Sequence, residues 1–259
     1  MKEKLIVSII QAELIWENPE ANRIKFQNTI KSVKENVDIF VLQEMFTSGF
    51  TMHPQKVAET MKGDTIKWMQ KLSKEVNAVI CGSVIISENN YYYNRFVFTE
   101  PNGTITTYNK RHTFTLAGEH KVYKAGKEKV VLEYKGWKIC PLVCYDLRFP
   151  VWARNVENYD LLIYVANWPK PRIAAWDTLL KARAIENMTY CIGVNRVGKD
   201  INGHQYTGHS AVLDGLGEPL NSINEDECVE IIELNKNHIN TIRKKLKFLD
   251  DRDNFSLIV

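Results

Sequence analysis

The sequence lacks a run of apolar residues long enough to span a bilayer as a helix, so it offers no transmembrane segment. The apolar stretch KLIVSIIQ at residues 4–11 is too short and too early broken to serve as an export signal. Charge of one sign is also missing: 34 Lys and Arg against 31 Asp and Glu leave a net charge of +3. That is too little to argue for nucleic acid or a membrane surface as partner. The densest basic run, Arg243-Lys244-Lys245-Leu246-Lys247, is most simply the solvated end of a helix, where cations suit the macrodipole. Five cysteines, odd in number and scattered, do not make a disulfide framework and point to free thiols in a reducing cytoplasm. No Pro-, Gly- or Ser-rich linker and no internal repeat divides the 259 residues, so residues 1–259 are expected to form one domain.

What is present is a succession of short apolar runs separated by amphipathic ones. Residues 4–11, 37–42 (VDIFVL), 78–86, 129–134, 136–140, 161–166 (LLIYVA), 189–195 and 229–233 read as strands. Asn18-Pro19 opens a helix to about Asn36, with Asn as cap and Pro at the first position. Asp64 or Thr65 opens another, residues 174–187 form a third, and 235–246 a last one. YYYNRFVFT and residues 104–109 flank Glu100-Pro101-Asn102-Gly103, a hairpin signal with Asn-Gly at the turn. Asp214-Gly215-Leu216-Gly217 suggests a second hairpin, and 198–203 a polar loop. Helices alternate irregularly with strands, and hairpins are mixed in. The expected class is therefore α/β, a layered sandwich with mixed sheets rather than a doubly wound parallel sheet.

The chain is organised around PLVCYDLRFP at residues 141–150. A strand leads into it and Pro150 starts a helix, so Cys144 sits at a sharp turn off a strand end. Backbone N–H groups of the following turn could hold an oxyanion there, which suits a nucleophile. The alternative is a buried structural cysteine, among the commonest fates of this residue. Cys140, four residues back, is expected on the same side, but one strand cannot supply a closed metal site. Glu44 and Lys110 also follow apolar strands. Either alone would more often face solvent. If both converge on Cys144 they offset one another's burial. The set is chemically complete for amide hydrolysis: a thiol to attack, a carboxylate to move its proton, and an ammonium to steady the oxyanion.

FVLQEMFTSGF (40–50), YNKRHTF (108–114) and PLVCYDLRFP together resemble the three signatures of the nitrilase superfamily of carbon–nitrogen hydrolases, in the order Glu44, Lys110, Cys144. YVANWPKPR (164–172) and KARAIENMTY (181–190) add to the likeness, which spans nearly the whole chain and looks most like the omega-amidase branch. The resemblance implies a four-layer α-β-β-α sandwich with two mixed sheets. It also implies hydrolysis of the terminal amide of 2-oxoglutaramate or 2-oxosuccinamate through a thioester on Cys144, with no metal or organic cofactor. Tyr145 is carried over as donor of the oxyanion-hole N–H, and Glu119 as the second glutamate that follows the lysine, although LAGEHKVYKAG lacks the aspartate-rich loop of many relatives. Relatives pair subunits through the region of Arg183 and Glu186, which implies a homodimer or larger oligomer; read alone, these two are an intrahelical pair.

An omega-amide of an oxo acid carries a carboxylate at its far end, and Arg172 is the candidate to meet it, a solvated loop position being the alternative. Trp168 and Phe50 would wall the pocket, or simply belong to the core. Asp146 and Arg148 are expected to brace the elbow. His204 and His209 lie in a polar loop without metal-ligand company. Three rivals stand beside this reading. One is a metal-dependent phosphodiesterase, whose strands end in a similar Leu-Gln-Glu. Another is an inactive binding protein of the same fold. The third is an amidase of the same superfamily acting on deaminated glutathione or an aliphatic amide.

Overall fold

The computed structural model describes residues 2–258. In chain order its strands and helices begin with β1 (Lys4–Gln11), α1 (Pro19–Ser32), β2 (Ile39–Val41), α2 (Asp64–Val76), β3 (Val79–Glu88), β4 (Tyr91–Thr99) and β5 (Ile105–Asn109). There follow β6 (Leu132–Tyr134), β7 (Trp137–Val143), α3 (Pro150–Ala153), β8 (Leu161–Val165), α4 (Ile173–Asn187) and β9 (Tyr190–Val194). The last are β10 (Val197–Lys199), β11 (Gln205–Thr207), β12 (Ala211–Leu213), β13 (Cys228–Asn235) and α5 (Lys236–Leu246). One sheet runs β13-β1-β2-β3-β4-β5, the other β12-β9-β8-β7-β6. Both are mixed: β1, β2 and β3 are parallel to one another, as are β7, β8 and β9, and the outer pairings are antiparallel.

The period of two along each strand explains the layering. In the first sheet Leu5, Val7, Ile9, Ile39 and Val41 point one way, into a cluster shared with Ile139, Leu161 and Ile163 of the second sheet. Their neighbours Ile10, Phe40 and Leu42 point the other way, against Phe26 and Ile30 of α1 and Ile66, Met69 and Leu72 of α2. On the second sheet α4 packs Trp176 and Leu180 over β9. The result is the expected α-β-β-α sandwich. Among the described residues no helix is long and apolar enough to cross a membrane.

Local chemistry sets most element ends. Asn18 caps α1 by accepting the Ala21 N–H at 3.1 Å, with Pro19 at the first position. Gly103, at φ 91°, makes the β4–β5 turn. Several expected boundaries move for tertiary reasons. Helix α1 stops at Ser32 rather than near Asn36, because the chain must turn so that Asp38 can donate its N–H to Ile6 O and accept from Lys2 and Lys135. The strand expected from residue 129 begins at Leu132, since Lys129 reaches out to Glu157 and the Arg154 carbonyl. The polar loop at 198–203 is part of a short β10–β11 hairpin, and the second arm of the 214–217 turn is a single bridge from Leu213 to Pro219.

Gly193 of β9 shows how tightly α4 is seated. A Cβ there would lie 2.4 Å from Leu180 Cδ1 and 2.8 Å from Trp176 Cζ2. Gly193→Ala is therefore expected to destabilise the protein by about 1–3 kcal/mol through overpacking. Thermal unfolding checks this, and an unchanged midpoint would contradict it.

Candidate active site

Strand β7 ends at Val143, and Cys144 takes the left-handed conformation, φ 46°. A 3-10 turn, Cys144–Arg148, follows directly. A non-glycine residue held there is strained, and the surroundings must hold it. Asp146 does so. Its Oδ2 accepts the Val143 N–H at 3.0 Å and the Tyr108 hydroxyl at 2.7 Å, while its Oδ1 accepts the His112 N–H at 2.9 Å and faces His112 Nδ1 at 2.8 Å. One buried carboxylate thus ties the cysteine turn to the residues either side of Lys110. The bracing expected of Asp146 is found.

Glu44 and Asn167 leave the parallel strands β2 and β8, and Lys110 leaves β5. Lys110, 1% exposed in its side chain, reaches Glu44 Oε1 at 2.8 Å and both oxygens of Glu119 at 2.9 and 3.0 Å. Glu119 Oε2 also accepts the Phe114 N–H, at 2.5 Å. Glu44 Oε1 accepts from Asn94 Nδ2 at 2.7 Å as well, and its Oε2 takes the Asn167 N–H at 2.8 Å. Glu44, Lys110, Glu119 and Cys144 are thus brought together in one buried cluster, Cys144 alone keeping 9% exposure.

The electrostatics follow from one ammonium between two carboxylates. Burial alone would lower the lysine pKa, but Glu119, Glu44 and the cysteine outweigh it and hold Lys110 above its ordinary value. Burial raises Glu119, against the pull of Lys110. Burial, and after it the nearby Glu44 carboxylate, push the Cys144 thiol well above the usual range, with Lys110 opposing. Burial and the neighbouring carboxylate thus favour the neutral thiol at Cys144. Cys140, by contrast, is pushed up to about 12 by burial alone in the main. Cys140 lies within β7, whereas Cys144 has already turned off the strand.

Cys144 opens into a cavity of about 80 Å³ walled by Phe50, Phe114, Tyr145 and Trp168. Arg172 lines it with its guanidinium 5.2 Å from the Phe114 ring, and the Trp168 indole donates to the Arg172 carbonyl at 2.8 Å. Arg148, expected to brace the elbow, instead lies 4.9 Å over the Trp168 ring and faces the cavity, because the 3-10 turn carries it round to the mouth. Neither arginine has a carboxylate within 4.0 Å among the described residues. His204 and Tyr206 complete the rim from the β10–β11 hairpin. Arg183 pairs with Glu186 at 3.0 Å and also donates to the Leu147 carbonyl at 2.6 Å.

Sequence reasoning passed over Asn94 and Asn167. The signal for Asn94 was a neutral polar residue inside the aromatic run YYYNRFVFT, and for Asn167 a place at a strand end like those of Glu44 and Lys110.

Fold and site together define a class: a two-sheet sandwich that gathers a thiol, a carboxylate and an ammonium at strand ends, suited to opening a carbon–nitrogen bond. The sequence profile of the carbon–nitrogen hydrolase family matches residues 6–244, and the chain belongs to that family. It is a hydrolase of carbon–nitrogen amide bonds, which sets aside the phosphodiesterase rival. Over 255 residues it is 44% identical to the omega-amidase YafV of Yersinia enterocolitica, covering 98% of this chain and 99% of that protein. It is 30% identical to the 2-oxoglutaramate amidase of Bacillus subtilis, over 96% of this chain and 97% of that one. Among solved structures it superposes with TM-score 0.96 on a CN-hydrolase superfamily protein from Xanthomonas campestris that carries an arsenic adduct in its active site. The two are 39% identical, over 99% of this chain and 100% of the other.

Removing the ammonium should leave two carboxylates in one buried site. The folded state would then hold a proton more tightly than the unfolded chain, so stability would rise as pH falls toward the carboxylate range. Lys110→Met is expected to cost about 3–5 kcal/mol near pH 8 and visibly less near pH 5.5. Denaturant unfolding at the two pH values checks this; an equal loss at both would contradict the charge argument.

Proposed function

We propose that the protein is an omega-amidase, hydrolysing the terminal amide of 2-oxoglutaramate or 2-oxosuccinamate to the 2-oxo dicarboxylate and ammonia. The observation that carries this is the Glu44–Lys110–Cys144 cluster at the floor of a small cavity whose wall holds two arginines without acidic partners among the described residues. The likeness to omega-amidases over the whole chain supports the substrate class.

The chemistry proceeds from the charge states. Glu44 Oε1 holds two short hydrogen bonds, whereas Oε2 holds one short bond and one at 3.5 Å, both from Asn167, so Oε2 is the less committed oxygen to take the thiol proton. As that proton moves, Sγ of Cys144 attacks the amide carbon. The oxyanion forms beside the Lys110 ammonium and the Tyr145 backbone N–H, which as an early N–H of its turn has no partner within it. Glu44 returns the proton to the leaving nitrogen, ammonia departs, and a thioester remains. Glu44 then takes a proton from water, whose oxygen attacks the thioester, and the thiol is restored as the acid leaves. Each step is supplied by groups of the chain, and the scheme calls for no metal or organic cofactor. Glu119 keeps Lys110 in place through both steps. At the far end Arg172 and Arg148 meet the substrate carboxylate, with Trp168 and Phe50 as the apolar walls.

On the same reading the chain acts in the cytoplasm and pairs with itself over the face where Val151, Phe255 and Leu257 are exposed beside Arg154 and Glu186. Sedimentation at micromolar concentration tests the pairing; a monomer would contradict it.

Purified protein is expected to release ammonia from 2-oxoglutaramate, and the Cys144→Ala variant to release none above background. Activity on aliphatic amides with none on 2-oxoglutaramate would reject the assignment. Arg172→Ala should raise KM for oxo-acid amides by about 10- to 100-fold while leaving uncharged amides nearly unaffected. Equal effects on both would remove its proposed role.

A further inference from the structure

Asn94 lies in the middle of β4, 1% exposed, and both ends of its amide are used. Nδ2 donates to Glu44 Oε1 at 2.7 Å and to Glu119 Oε1 at 3.3 Å. Oδ1 accepts the Ser83 hydroxyl at 2.7 Å, and the Ser83 oxygen accepts the Met45 N–H at 2.8 Å. Met45 is the residue after Glu44 and is held left-handed, at φ 45°. The contacts close a ring that runs from the Glu44 carboxylate through Asn94 and Ser83 back to the peptide that follows Glu44.

The ring has an electrostatic purpose. Four titratable groups face Glu44: Lys110 from the end of β5, Glu119 from the turn beyond it, Cys144 from the elbow, and Tyr123 farther off. Among the described residues only Lys110 brings positive charge to Glu44, and it is shared with Glu119, which disfavours a second ionised carboxylate nearby. Two amide N–H groups supply the balance without adding a group that titrates. The hydroxyl of Ser83 favours the amide orientation that aims both N–H groups at the carboxylates, where a flipped amide would turn its oxygen on them.

We propose that Asn94 is a positioning residue for the hydrolysis, aiming Glu44 at the thiol by donating to its carboxylate, with Ser83 fixing the Asn94 amide. This rests on reading Glu44 as the base. Asn94→Ala should lower kcat/KM by about 10- to 100-fold, mostly through kcat, because the base is no longer aimed. The acid limb of the pH profile should move up by about one pH unit, since a donor to the charged carboxylate is lost. Ser83→Ala should move the limb the same way by less, and Ser83→Thr should restore it. This pair carries the test if Asn94→Ala does not fold.

The rate of Cys144 alkylation by iodoacetamide against pH, followed by mass spectrometry, reads the same limb with no assumption about substrate. A wrong substrate assignment would silence turnover and leave the alkylation shift intact. Loss of activity with neither limb moving would show a merely structural role and overturn the proposal, as would wild-type rates and limbs in Asn94→Ala.

Discussion

Lys110, buried between Glu44 and Glu119, is the interaction on which the site depends. An isolated ammonium at that depth would be too costly to keep charged, and two carboxylates without it would not both stay ionised. The three together are tolerable because every short contact is a charge-assisted hydrogen bond, backed by N–H donors from Asn94, Asn167 and Phe114. Breaking any member leaves a buried charge without its partner. The same arrangement acts on Cys144, whose thiol is pushed up first by burial and then by the Glu44 carboxylate, with Lys110 opposing.

The sandwich exists, for this site, to bring together strand ends that lie far apart in the sequence. Glu44 comes from the first sheet and Cys144 from the second, 100 residues on by their numbers. Face-to-face packing of Val7, Ile39 and Val41 on Ile139, Leu161 and Ile163 fixes their separation. Asp146 then pins the strained cysteine turn to the segment that carries Lys110, through Tyr108 and His112. Strain at Cys144 and at Met45 lies within the buried cluster, where the surrounding hydrogen bonds hold it.

Much of this was legible beforehand. Short apolar runs marked the strands, Asn18-Pro19 and Asn102-Gly103 marked a helix start and a turn, and three short motifs pointed to Glu44, Lys110 and Cys144. The layered sandwich followed from the mixture of hairpins and helices. What escaped was whatever depends on direction rather than residue type. Arg148 looked like a brace because its place in the sequence cannot say that a 3-10 turn will swing it into the cavity. Asn94 looked like an ordinary strand residue because its importance lies in two carboxylates 50 and 25 residues away. The end of α1 was misplaced because Asp38, a tertiary anchor, decides it and not helix propensity.

The most direct test of the chemistry is to catch the intermediate. Protein mixed with 2-oxoglutaramate, quenched in acid within the first turnovers and examined by intact-mass and peptide mass spectrometry, should carry the 2-oxo acyl group on Cys144 as a thioester. Hydroxylamine should remove it, and Cys144→Ala should show neither adduct nor turnover. Turnover that persists in Cys144→Ala, or an acyl group found on another residue, would contradict the thioester route.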